Sequence, residues 1–128
     1  MRGKTGCMLT FGTVVVGVSD IARARDFYCA ALDYVPRSPG DDTFIILDPR
    51  ERSGPHPGIA LDLSESPLQE HPRLHLDLYA EDQEAEIERL LGLGATRVDW
   101  DLYPEHPDFV VLADTEGNRF CVIDLQAE

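Results

Sequence analysis

Apolar and polar positions follow two rhythms along this chain, and the pair of rhythms occurs twice. Residues 11–18 form a β-branched, apolar run, F-G-T-V-V-V-G-V, which predicts a buried strand. Asp20 then precedes Ile21, Ala24, Phe27, Tyr28, Ala31 and Leu32, apolar at spacings of three and four, with Arg23, Arg25 and Asp26 on the wet face. That is the pattern of an Asp-capped amphipathic helix. Pro36, Pro39 and Gly40 break up the next segment, and two strands are predicted at 42–48 and 58–63, on either side of a loop dense in Pro, Gly and charge.

From Arg73 the order repeats. Leu74, Leu76 and Leu78 alternate with Arg73, His75, Asp77 and Tyr79. A period of two puts the leucines on one face, packed against a helix, and the polar set on the opposite, concave face. Asp82 opens a second helix with a buried stripe of Ile87, Leu90 and Leu91, and Gly92 and Gly94 mark its end. Because Gly92-Leu93-Gly94 ends a helix instead of opening one after a strand, it is no nucleotide loop. Strands are predicted again at 96–100, 108–112 and 119–125. The two helix-opening aspartates lie 82 − 20 = 62 residues apart, nearly half of 128. The reading is α+β: two β-α-β-β-β modules, about 9–64 and about 72–126, in one domain spanning 1–128. The offset pairs Thr13 with His75 across one shared cavity.

Composition narrows the partners. The net charge of 11 − 24 = −13, with a pI near 4.5, repels phosphate backbones and anionic lipid, so neither nucleic acid nor a membrane surface is expected to bind. The same charge either keeps the protein soluble or attracts a cationic ligand. Cys7, Cys29 and Cys121 are odd in number and lack metal-type spacing, which argues against a disulfide framework and for a reducing, cytoplasmic setting. Arg2 and Lys4 precede an apolar run at 7–18 with the profile of a signal peptide. That run is Val-rich, carries no small-x-small cleavage site before Asp20 and has a matching copy downstream.

Three segments carry a resemblance: V-S-D-I-A-R-A-R-D-F-Y at 18–28, the His75-to-Asp82 stretch, and V-L-A-D-T-E-G-N-R-F-C-V at 111–122. With them the chain resembles the vicinal oxygen chelate superfamily, which contains glyoxalase I, extradiol dioxygenases and bleomycin-resistance proteins. The last segment looks like the D-P-x-G-N turn of these proteins, with Thr115 in place of Pro, and Gly117-Asn118 suits a tight turn with positive φ. The resemblance implies paired modules whose curled sheets enclose a ligand cavity. It also implies metal-ligand positions at Thr13, His75, Cys121 and within 59–61. Of these only His75 is a matching ligand, while 59–61 reads Ile-Ala-Leu, so no metal or other cofactor is expected.

Within that frame, His75 is either a structural residue or a general base whose imidazole Asp77 holds; Asp77 has Arg73 or a neighbouring strand as its other prospective partner. Thr13, Tyr79 and Cys121 are candidate ligand contacts, the thiol either nucleophilic or simply small and buried. Trp100 and Tyr103, on a proline-bearing connection, are candidate aromatic walls, whereas Phe44 and Phe109 are assigned to the core. His56, His71 and His106 each precede Pro and read as loop punctuation. The resulting expectation is a metal-free, homodimeric small-molecule-binding protein of drug-sequestering type with an aromatic or cationic ligand. The alternative is a lyase, isomerase or dioxygenase using His75.

Overall fold

The computed structural model describes residues 8–51, 54 and 56–127. Arg2, Lys4 and Cys7 lie outside the described residues. The first module runs β1 (Thr13–Val18), α1 (Ile21–Leu32), β2 (Tyr34–Pro36), β3 (Phe44–Pro49) and β4 (Gly58–Leu63). The second runs β5 (Asp77–Ala80), α2 (Gln83–Gly92), β6 (Thr96–Arg97), β7 (Phe109–Ala113) and β8 (Arg119–Asp124). Each module makes its own four-stranded sheet, ordered β1-β4-β3-β2 and β5-β8-β7-β6, with the first and last strands parallel and the others antiparallel. The two sheets are not closed into a barrel. No helix among the described residues is long and apolar enough to cross a membrane.

The strands are shorter than the apolar pattern predicts because a strand lasts only as long as its partner. The β1 ladder starts at Thr13, opposite Gly58; one residue earlier the partner is Pro57, which has no N–H to offer, and Phe11 is left 74% exposed. The β5 ladder begins at Asp77, opposite Cys121. Leu76 and Leu78 pack on the core as predicted, but Leu74 lies ahead of the strand and is 75% exposed. The run at 96–100 is a strand only to Arg97, since the Val111 N–H that would extend the sheet donates instead to the Tyr103 hydroxyl at 2.9 Å. Tyr34–Pro36 adds an unpredicted strand at the sheet edge, where Pro36 costs no interior hydrogen bond.

Both helices start as the sequence predicts. The carboxylate of Asp20 accepts from Arg23 N at 3.0 Å, and that of Asp82 from Ala85 N at 3.2 Å. One apolar core serves both modules, with Phe27 of α1 6.3 Å from Phe120 of β8, ring centre to ring centre. Polar contacts add a seam. Arg89 of α2 donates to Ala30 O (3.2 Å) and Ala31 O (2.9 Å), satisfying carbonyls at the end of α1. From the β7–β8 turn, Asn118 donates to Gly17 O (2.9 Å), and Tyr28 donates to the buried carboxylate of Asp114. Asp114 also accepts from Glu116 N and Asn118 N, closing the turn in which Gly117 takes φ 92°.

Candidate functional site

The strand registers build one face of the second sheet row by row. Asp77 lies beside Cys121 and Cys121 beside Val111; two residues on, Tyr79 lies beside Ile123 and Ile123 beside Phe109. Side chains of one row share a face, so a polar row is followed by an aromatic-aliphatic one. Above them opens a cavity of about 460 Å³, closed at its sides by His75, Trp100 and Arg119. It belongs to the second module alone. A second cavity, of about 480 Å³, lies between the modules, under the 64–76 connection, and shares His75, Pro72, Arg119 and Phe120 with the first.

His75 Nδ1 is 3.1 Å from the Asp77 carboxylate and 4.0 Å from Cys121 Sγ. A carboxylate can only accept, so Asp77 is placed to hold the imidazole through Nδ1. Asp77 thus meets His75, the first of its expected partners. Cys121 is buried, and burial together with the neighbouring Asp77 charge pushes its thiol up from 9.0 to about 11. The imidazole does not activate it, and the thiol is a small protonated floor group.

The sequence-predicted residues divide as follows. Tyr79 and Trp100 line the cavity with His75, Asp77 and Cys121. Thr13 lines neither cavity: it pairs with Gly58 at the outer end of β1, and its methyl sits 3.3 Å from where a Cβ on Gly58 would be. The offset of 62 also equates Asp77 with Val15 and Tyr79 with Gly17, so the matching face of the first sheet carries no donor set. Tyr103 does not line the cavity; its ring lies 5.3 Å from Phe109, which does. Phe109, assigned to the core by its pattern, lines the cavity, and Phe44 is 41% exposed. His71 does more than precede a proline: it packs 5.0 Å from the Trp100 ring, with Nε2 2.9 Å from Asp101 Oδ1. Trp100 Nε1 is buried and has no hydrogen-bond partner among the described residues. Arg119 was missed as a site residue, although it shares strand parity with Cys121.

The family model for the glyoxalase-like domain matches residues 13–123. The chain belongs to the glyoxalase-like domain family. Solved structures agree at the level of the fold. A fosfomycin resistance protein from Listeria monocytogenes superposes with a TM-score of 0.69 at 14% identity, covering 92% of each chain. A glyoxalase-related enzyme from Fulvimarina pelagi gives 0.65 at 14% identity, over 91% of this chain and 88% of the other. A member of the glyoxalase/bleomycin resistance protein/dioxygenase superfamily from Sphaerobacter thermophilus gives 0.62 at 20% identity, over 92% and 99%. No curated protein sequence matches the chain.

The divalent ion of metal-dependent glyoxalase-like proteins can be tested against the donors present. From the first module, Thr13 is off the cavity, and Ile59, Ala60 and Leu61 offer no donor and are buried. A cage drawn from both modules therefore does not fit. The second module alone brings together His75, Asp77 and Cys121, whose ligand atoms all lie within 4.8 Å of one another. Asp77 had no place in the sequence-level ligand pattern, because strand parity shows that it faces the cavity but not that its carboxylate reaches the imidazole. A set of one nitrogen, one carboxylate oxygen and one sulfur suits a borderline-soft ion such as Zn²⁺ with an open position, where it would act as a Lewis acid.

Proposed function

We propose that this glyoxalase-like protein binds a small planar organic molecule in the second-module cavity without a resident metal, in the manner of a sequestering protein. The observation that carries this is the lining. Trp100, Phe109 and Tyr79 present aromatic surface around about 460 Å³, while His75, Asp77 and Arg119 bring polar groups to the same lining. A few convergent polar groups on apolar walls are what a small-molecule site requires. The relatives named for fosfomycin and bleomycin resistance support a binding role on this fold. The field of the acidic chain and the free Cys29 and Cys121 support a soluble protein in a reducing compartment. A homodimer would cover Val15 and Phe44, apolar side chains exposed on the first sheet.

The second reading is an enzyme of the superfamily's lyase, isomerase or dioxygenase kind, and the three clustered donors favour it. His75 would there serve as base or metal ligand, with Asp77 orienting it. The test is elemental analysis of purified protein combined with thermal shifts against planar aromatic compounds before and after EDTA treatment. Shifts that survive chelation, with no stoichiometric metal, are expected. About one metal per chain, lost in His75→Ala, would replace the sequestering reading with the enzymatic one.

A further inference from the structure

We infer that the molecule held in the second-module cavity is a planar aromatic compound bearing an oxyanion, such as a carboxylate, and that Arg119 is the group that recognises it. This rests on the cavity being a small-molecule site, and it reverses the expectation of a cationic ligand drawn from net charge.

The argument begins with what the other arginines do. With 24 acidic residues to 11 basic ones, a basic side chain is surrounded by potential partners. Arg23, Arg25, Arg37, Arg50, Arg89 and Arg97 each lie 2.7–3.4 Å from a carboxylate oxygen. Arg73 is on the open surface. Arg119 is half-buried, borders both cavities, and has no carboxylate partner among the described residues. Among the described residues it makes one hydrogen bond, from Nη1 to Glu70 O at 3.0 Å, leaving most of a five-donor guanidinium uncommitted. A half-buried guanidinium without a counter-ion is costly in the free protein and is repaired by an anion.

Trp100 lines the same cavity and supplies ring surface beside Arg119. Its Nε1 is buried and has no acceptor among the described residues. An uncommitted guanidinium on the wall of an aromatic-lined cavity asks for a negatively charged ligand whose ring can lie on Trp100 and Phe109. The cavity's own carboxylates do not fill that role. Asp77 is engaged by His75 at 3.1 Å. Asp108 precedes Phe109 at the other end of the β7–β8 ladder, where Phe109 faces Ile123 and Ala113 faces Arg119, so it stands about 16 Å along the strand from the Arg119 end. The overall charge of −13 does not override this arrangement. Salt screens it over about 8 Å, whereas a contact inside a cavity is screened far less.

The experiment compares three probes of one shape in EDTA-treated full-length protein: 2-naphthoate, neutral 2-naphthamide and cationic 2-naphthylmethylammonium. Trp100 is the only tryptophan, so a ¹H–¹⁵N spectrum contains one indole resonance to follow. Naphthoate is expected to shift that resonance and to bind at least about tenfold more tightly than the amide, with the cation weakest. In Arg119→Gln the preference for the anion should vanish while the amide binds as before, which also shows that the variant is folded. Arg119→Lys, which keeps the charge, should retain part of the preference. Equal binding of anion and amide to the unaltered protein, or an undiminished preference in Arg119→Gln, would overturn the role of Arg119 and leave the cavity reading standing. Failure of all three probes to move the indole resonance would overturn both.

Discussion

Glu116, on the β7–β8 turn of the second module, receives Arg23 of the first-module helix through both carboxylate oxygens, with Nε–Oε2 at 2.7 Å and Nη2–Oε1 at 3.0 Å. The same carboxylate accepts from Ser19 N (3.0 Å), Ser19 Oγ (2.9 Å), Asp20 N (3.0 Å) and Thr115 Oγ1 (2.9 Å). It fastens the second module to the point where β1 turns into α1. The candidate cavity, built by the second module, depends on this fastening for its position against the first.

Burial alone would raise the Glu116 carboxyl, but Arg23, Thr115 and Ser19 together hold it down from 4.5 to about 2. A carboxyl whose folded pKa is depressed stabilises above its unfolded value, and that contribution is lost as pH falls through the folded one. Glu116 should therefore contribute about 3 kcal/mol above pH 4.5, of which about 2 kcal/mol is gone by pH 3. Asp114, raised by burial, works in the opposite sense and at higher pH, upward from its ordinary value of 3.8. Urea denaturation of the protein and of Glu116→Gln at pH 6 and pH 3 isolates the Glu116 part: the variant should be less stable at pH 6 and show a smaller loss between the two.

His75 and Leu76 are neighbours with opposite duties. His75 is exposed on the cavity side, whereas Leu76 packs on the core. His75→Ala should weaken ligand binding and leave the denaturation midpoint nearly unchanged. Leu76→Ala should cost about 2 kcal/mol through lost packing. If both variants are equally destabilised, His75 is a structural residue.

The thiol of Cys121 should be slow to alkylate. At about 11 instead of 9.0, it carries about a hundredfold less thiolate at neutral pH than an unperturbed thiol. Site-resolved mass spectrometry after iodoacetamide treatment should find Cys121 modified well after Cys29, which is half-buried. Asp77→Asn, by removing the adjacent negative charge, should speed the reaction; an unchanged rate would mean that burial alone controls it.

The two helix caps provide a matched pair. Asp20→Ala and Asp82→Ala should each cost about 0.5–2 kcal/mol. Glu116 accepts from the Asp20 backbone N–H, which alanine keeps, so each variant reports its own cap. Losses of similar size are expected, and thermal denaturation of both variants checks this.

The module repeat, both helices with their aspartate caps, the turn at Gly117 and the facing of His75, Asp77, Tyr79 and Cys121 were legible in the sequence. Each is fixed by local physics: side-chain period, capping chemistry or backbone conformation within a few residues. The lengths of the strands were not, because a ladder ends where its partner ends, and Pro57 and the Tyr103 hydroxyl act from distant parts of the chain. Nor could the 62-residue symmetry decide the site. It equates Thr13 with His75, but equivalence under a repeat says nothing about which copy's face is walled in, and only the second is closed over by Trp100 and Phe109. The meeting of His75, Asp77 and Cys121, the orphaned Trp100 N–H and the unpaired Arg119 follow from the parallel pairing of β5 with β8 and the path of the 64–76 and 98–108 connections. Those are contacts between segments far apart in sequence, set by tertiary packing, and no periodicity along the chain encodes them.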